Sequence, residues 1–173
     1  MHIKNIIFIG FMGTGKTTVS THMGAMLHRK VYEIDRMISD KAGMKTTEIF
    51  KQHGESYFRN LETQMLQQVQ KCEGILISCG GGIVLCEENR KILKNGTVVL
   101  LTGTPDTVLK RIGESHERPL LEGHKEVPYI KKMMQERQDL YQSIADIVIE
   151  TDYKSVQEVC EHIIQALKEG LYV

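Results

Sequence analysis

At 173 residues the chain is long enough to bury a sizeable core and short enough to form one domain, 1–173. Lysine plus arginine and aspartate plus glutamate number 22 each, so no overall charge draws the chain to nucleic acid or a membrane surface. The basic residues that matter must therefore act locally. Cys72, Cys79, Cys86 and Cys160 include no C-x-x-C pair, and no histidine stands at metal-ligand spacing. Reduced, mostly buried thiols in a cytoplasmic protein are the expectation.

The N-terminus is apolar but interrupted by Lys4, and it runs directly into a glycine-rich turn. It reads as a core strand and not a signal peptide, and no apolar run approaches membrane-spanning length. Ile6-Ile7-Phe8-Ile9 leads into Gly10-Phe11-Met12-Gly13-Thr14-Gly15-Lys16-Thr17-Thr18, after which Val19, Met23, Met26 and Leu27 recur at helical spacing. Strand, G-x-x-x-x-G-K-T and helix in that order define a phosphate-binding loop. Its glycines let successive backbone N–H groups at Gly13, Thr14, Gly15, Lys16, Thr17 and Thr18 close around an anion, with the helix dipole behind them. Lys16 would reach the β- and γ-phosphates of ATP, and the Thr17 hydroxyl would ligate magnesium.

Lys30 to Asp35 is a short strand ending in two acids, Glu33 and Asp35, and a helical stretch follows. Thr46–Phe50 precedes a long helix from about Glu55 to Val69, whose apolar stripe is Phe58, Leu61, Met65, Leu66 and Val69. Arg59 and Glu62 stand one turn apart beside that stripe. Ile75-Leu76-Ile77-Ser78 is a third strand running into Cys79-Gly80-Gly81-Gly82. A helix near 87–93 leads to the strand at Thr97–Leu101, and Thr104-Pro105 caps and starts another helix reaching about Ile112. Residues 113–125 are polar, charged and aperiodic, and read as a mobile lid. Pro128 opens a helix carrying Ile130, Met133, Met134, Leu140 and Tyr141, with Arg137 on the same face. Ile147–Ile149 is the last strand, and Ser155-x-x-Glu158 is a capping box for a terminal helix. Five strands alternating with helices predict an α/β/α three-layer fold around a five-stranded parallel sheet.

Ligands of such sheets bind beyond the carboxyl ends of the strands. That rule gathers the phosphate loop, Glu33 with Asp35, and Ser78 with the glycine triplet around one crevice. An acidic pair facing a phosphate loop suits magnesium handling and a base for an acceptor hydroxyl. Arg137, on a core-facing stripe, needs an anionic partner, either a structural carboxylate or that of a substrate. Arg59 has the same two readings, with Glu55 or Glu62 as the local partner. Arg118 in the lid would stabilise charge on a transferring phosphoryl group while closure excludes water.

Together these elements resemble the shikimate kinase family, small members of the nucleoside-monophosphate-kinase-like P-loop proteins. The likeness runs through nearly the whole chain: the phosphate loop, Asp35, Gly54-Glu55-x-x-Phe58-Arg59-x-x-Glu62, Gly80-Gly81-Gly82, Arg118-Pro119-Leu120-Leu121 and Glu136-Arg137-x-x-Leu140-Tyr141 before Ala145-Asp146. The resemblance implies ATP-dependent phosphorylation of the shikimate 3-hydroxyl, with magnesium as cofactor, by a cytoplasmic monomer of the aromatic amino acid pathway. It implies a substrate-binding region over 33–62, with Arg59 and Arg137 on the acceptor carboxylate, Asp35 and Gly81 on its ring hydroxyls, and Glu62 orienting Arg59. Arg111 would lie near adenine, Arg118 would close on the ATP phosphates, and Glu33 would act on magnesium through water. The chain departs from the family where Glu33-Ile34-Asp35 replaces Asp-x-Asp, where Ser39 replaces a common glutamate, and where Thr151–Lys154 lacks a proline and an arginine. A kinase for another polyol acid such as gluconate is the nearest alternative. A non-catalytic nucleotide-binding switch is the other, although no N-K-x-D guanine-reading motif is present.

Overall fold

The computed structural model describes residues 4–113 and 127–170. Within them a parallel five-stranded sheet carries helices on both faces. The strands are β1 (Ile6–Ile9), β2 (Val31–Glu33), β3 (Leu76–Ser78), β4 (Thr97–Thr102) and β5 (Ile147–Glu150), in the spatial order β2-β3-β1-β4-β5. Every residue of β1 is buried, as a central strand covered on both sides requires, which is why it reads as an uninterrupted apolar run. In register, Ile6 stands opposite Leu76 on one side and Thr97 on the other.

Alternation along the strands divides the core in two. Ile7, Ile9, Ile77, Val98 and Leu100 face α3 (Thr46–Val69), packing with Phe58, Leu61, Met65 and Leu66. Ile6, Phe8, Leu76, Val99 and Leu101 face α1 (Lys16–Leu27) and α7 (Val156–Glu169), meeting Val19, Met23, Val159 and Ile163. A smaller cluster under the phosphate loop joins Phe11 and Met12 to α5 (Pro105–Gly113) and α6 (Val127–Gln142). The caps read from sequence are present: Thr107 N donates to Thr104 Oγ1 at 3.3 Å, and Glu158 N to Ser155 Oγ at 3.2 Å. Helix α4 spans Glu87–Leu93. Among the described residues, no helix is long and apolar enough to cross a membrane.

Three expectations are corrected. The second strand ends at Glu33, and Asp35 lies in the first turn of α2 (Ile34–Ala42). The helical pair Ile34 and Ile38, both fully buried, wins over continuation of the strand. The Thr46–Phe50 stretch is itself helical, joined to the long helix through a kink at Gly54, whose φ of 81° and ψ of 173° suit only glycine. Gly113 closes α5 instead of opening the lid, and the rest of the expected lid, Arg118 included, lies outside the described residues.

Candidate active site

The phosphate loop leaves β1 and folds on itself before α1 begins. Thr14 Oγ1 donates to Phe11 O at 2.8 Å, and Lys16 Nζ curls back to Gly10 O at 2.8 Å and Phe11 O at 2.9 Å. Thr17 and Thr18 stand exposed on the first helical turn. The loop borders a cavity of about 600 Å³. Glu33, Asp35 and Thr46 line one end of it, Ser78 to Gly81 its back, and Arg111, Thr151, Lys154 and Val156 the other end.

Arg111 ties the two sides of that second end together. Its Nη1 donates to Gly13 O at 3.3 Å and Thr151 Oγ1 at 3.0 Å, and its Nη2 to Thr151 O at 3.1 Å. Beside it, buried Asp152 accepts from Thr104 N at 2.9 Å and Thr104 Oγ1 at 3.2 Å. Burial pushes the Asp152 carboxyl upward, but the hydrogen bonds from Thr107 and Thr104 outweigh it and hold the pKa below the ordinary range.

At the end of β3 the glycine triplet meets the charged groups of α2, α3 and α6. None of the three glycines has a positive φ, so a tight turn does not explain them. Side-chain room does. A Cβ on Gly80 would stand 2.5 Å from Asp35 Oδ1 and 2.9 Å from Glu62 Oε1, and one on Gly82 would collide with the Arg59 guanidinium. A Cβ on Gly81 would press on the phosphate loop, 3.2 Å from Met12 N. The triplet thus lets two carboxylates and a guanidinium approach the backbone beside the loop.

Arg59 is bracketed by acids: Nη2 lies 2.9 Å from Glu55 Oε1 and Nη1 3.0 Å from Glu62 Oε2. Burial opposes the charge on Arg59, yet Glu62 and Glu55 together raise its pKa. Glu62 is fully buried, and burial, helped by nearby Asp35, overcomes the pull of Arg59 and lifts its carboxyl to about 7. Burial also drives the Cys79 thiol far up, which leaves it inert as a nucleophile. Arg137 is buried at 8% exposure, reaching Gly81 O at 3.5 Å and lying over the Phe11 ring at 5.7 Å. The Tyr141 hydroxyl donates to the same Gly81 carbonyl. Neither Arg59 nor Arg137 lines the cavity; both guanidiniums sit on the glycine triplet beside it.

A family model described as shikimate kinase matches residues 12–168. The chain belongs to the shikimate kinase family. It is 38% identical over 165 residues to a shikimate kinase of Caldanaerobacter subterraneus subsp. tengcongensis, covering 95% of this chain and 96% of the relative. To a shikimate kinase of Sulfurihydrogenibium sp. it is 39% identical over 167 residues, 96% of this chain and 99% of that one. Among solved structures, shikimate kinase from Acinetobacter baumannii in complex with shikimate superposes with a TM-score of 0.93 at 31% identity, covering 97% of this chain and 94% of that chain.

Against the family pattern, this shikimate kinase-like chain places Glu33 at the strand end with Thr17 across the cavity. Among the described residues no group of three or more His, Cys, Asp or Glu could hold a metal by itself. Hydroxyl and carboxylate oxygens around a phosphate loop nevertheless fit magnesium, which keeps waters and takes much of its coordination from substrate phosphates. Ser39, where the family often has glutamate, pairs its hydroxyl with Thr46 Oγ1 at 3.3 Å. In the loop after β5, Arg111 anchors Thr151, while Tyr153 is fully exposed in a left-handed conformation with φ of 57°. Reading by sequence marked Thr151–Lys154 only for the proline and arginine it lacks, and not for the bonds that Thr151 makes with Arg111 and Asp152 with Thr104. It placed Tyr141 and Arg137 on one apolar face, and Tyr141 is indeed buried in the core, but it did not foresee that the Tyr141 hydroxyl bonds the glycine triplet.

Proposed function

We propose that the chain transfers the γ-phosphoryl group of ATP to the 3-hydroxyl of shikimate, giving 3-phosphoshikimate and ADP in aromatic amino acid biosynthesis, as a cytoplasmic monomer. The observation that carries this reading is the meeting, at one glycine triplet, of the phosphate loop, the Asp35 carboxylate and two guanidiniums.

Backbone amides of Gly13 to Thr18 would cradle the ATP phosphates, and Lys16 would exchange its loop carbonyls for phosphate oxygens. Arg111 would border the base. Arg59 and Arg137 would hold the shikimate carboxylate, Glu62 orienting Arg59, and Gly81 and Asp35 would receive the ring hydroxyls. Asp35 would align the 3-hydroxyl in line with the γ-phosphorus and take its proton as the new O–P bond forms. Arg118 would stabilise the charge of the transferring group. Thr17, with Glu33 acting through water, would hold magnesium, which supplies neutralising charge on the phosphates. No covalent enzyme intermediate is needed.

An acceptor panel with coupled ADP detection and phosphorus NMR of the product tests the assignment. Shikimate-dependent ADP release with a single 3-phosphate product is expected. Turnover with gluconate and none with shikimate would overturn it, and nucleotide binding with no acceptor-dependent release would point to a non-catalytic switch.

A further inference from the structure

Both acceptor-side arginines lie over a phenylalanine ring, Arg59 over Phe58 at 5.4 Å and Arg137 over Phe11 at 5.7 Å, but their ionic partners differ. Arg59 lies between Glu55 and Glu62, at 2.9 and 3.0 Å, so acidic side chains already neighbour its charge on both sides. Arg137 has no carboxylate within ion-pair distance among the described residues. It rests on the face of the Phe11 ring at 5.7 Å and reaches the Gly81 carbonyl at 3.5 Å. The same carbonyl accepts the Tyr141 hydroxyl, and that hydroxyl neighbours the Arg137 guanidinium. An aromatic face and neutral oxygens orient a guanidinium without cancelling its charge. Phe11 and Tyr141 are buried, at 3% and 4% exposure, so neither group drifts with solvent.

We infer that Tyr141 and Phe11 are positioning residues that hold Arg137 in a neutral cradle, keeping its charge available to the acceptor carboxylate. The inference rests on the acceptor reading given above. Tyr141 approaches from α6 and Phe11 from the phosphate loop, so donor loop and acceptor arginine share a packed contact. Burial pushes the Tyr141 phenol up to about 12 against the opposing pull of Arg137, which keeps it a neutral donor across the working pH range. Its fixed bond to Gly81 O also pins the backbone unit on which Arg137 rests.

A mutant cycle tests the cradle. Tyr141→Phe keeps the ring and removes only the hydroxyl; it is expected to raise the shikimate KM roughly three- to tenfold, the range of one hydrogen bond between neutral groups. The ATP KM should move less than twofold. Phe11→Leu should raise the shikimate KM roughly two- to fivefold, as loss of a cation–π contact allows. In an Arg137→Ala background, Tyr141→Phe should add less than twofold. An unchanged shikimate KM in Tyr141→Phe, or the same factor again in the Arg137→Ala background, would overturn the proposal. An independent readout is the Arg137 Nε–H resonance in a nitrogen-15 spectrum, assigned by its loss in Arg137→Ala. It should be distinct in the unmodified chain and move to the solvent-exposed position in Tyr141→Phe; a resonance that stays put overturns the cradle. If the unmodified chain releases no ADP with shikimate, the functional reading fails and the resonance alone decides the cradle.

Discussion

Replacing Gly80 by alanine places a methyl carbon 2.5 Å from Asp35 Oδ1 and 2.9 Å from Glu62 Oε1. Non-bonded heavy atoms sit at ease at roughly 3.5 Å, so Asp35 must retreat by about 1 Å and Glu62 by roughly half that. Glu62 is fully buried and bonded to Arg59, whereas Asp35 is only partly buried, so the Asp35 carboxylate is the one that yields more. A 1 Å displacement of a group that aligns the attacking hydroxyl costs on the order of 100-fold in rate. Gly80→Ala is therefore expected to lower kcat about 100-fold while the ATP KM stays within about threefold, since the phosphate loop is not struck. Overpacking costs about 1–3 kcal/mol, or a Tm lower by several degrees in a chain of this size. Steady-state ADP release and a thermal melt measure both. A kcat within threefold of the unmodified chain would refute the idea that the missing Cβ makes room for Asp35. Gly82→Ala is the companion: its methyl strikes the Arg59 guanidinium, so the shikimate KM should rise more than kcat falls.

Other predictions concern charge and caps. Burial raises the Glu62 pKa from 4.5 to about 7, so the folded chain binds that proton more tightly than the unfolded chain. Its contribution is fully present below the unfolded value and lost as pH rises towards about 7; Glu62→Gln should flatten that slope in urea melts across the window and raise the shikimate KM several-fold. Glu33→Asp should shift the magnesium concentration giving half-maximal rate several-fold, and an unchanged titration would remove Glu33 from the metal site. Ser155→Ala removes the cap of α7 and should cost about 1 kcal/mol in a denaturant melt with kcat unchanged.

The phosphate loop and the five strands were legible because each rests on a local pattern: a glycine-rich motif between strand and helix, and short apolar runs at regular intervals. Asp35 was found by the strand-end rule, yet it sits in the first turn of α2, because burial of Ile34 and Ile38 starts that helix sooner than the strand pattern suggests. Glu62 was legible as a partner of Arg59 but not as a fully buried acid, since i,i+3 spacing does not say which element covers it. The glycine triplet was legible as a place of close approach. That Asp35, Glu62 and Arg59 occupy the space depends on three distant segments and on no local signal. The neutral surroundings of Arg137 were hidden for the same reason: Phe11 and Gly81 reach it from far along the chain.

The most direct test is the rate of ADP release at saturating ATP and magnesium, with and without shikimate, in the unmodified chain and in Asp35→Asn. The account predicts release that depends on shikimate in the unmodified chain and is abolished in Asp35→Asn, with ATP binding by titration calorimetry largely retained. Near-normal shikimate-dependent release from Asp35→Asn, or release indifferent to shikimate in the unmodified chain, would contradict it.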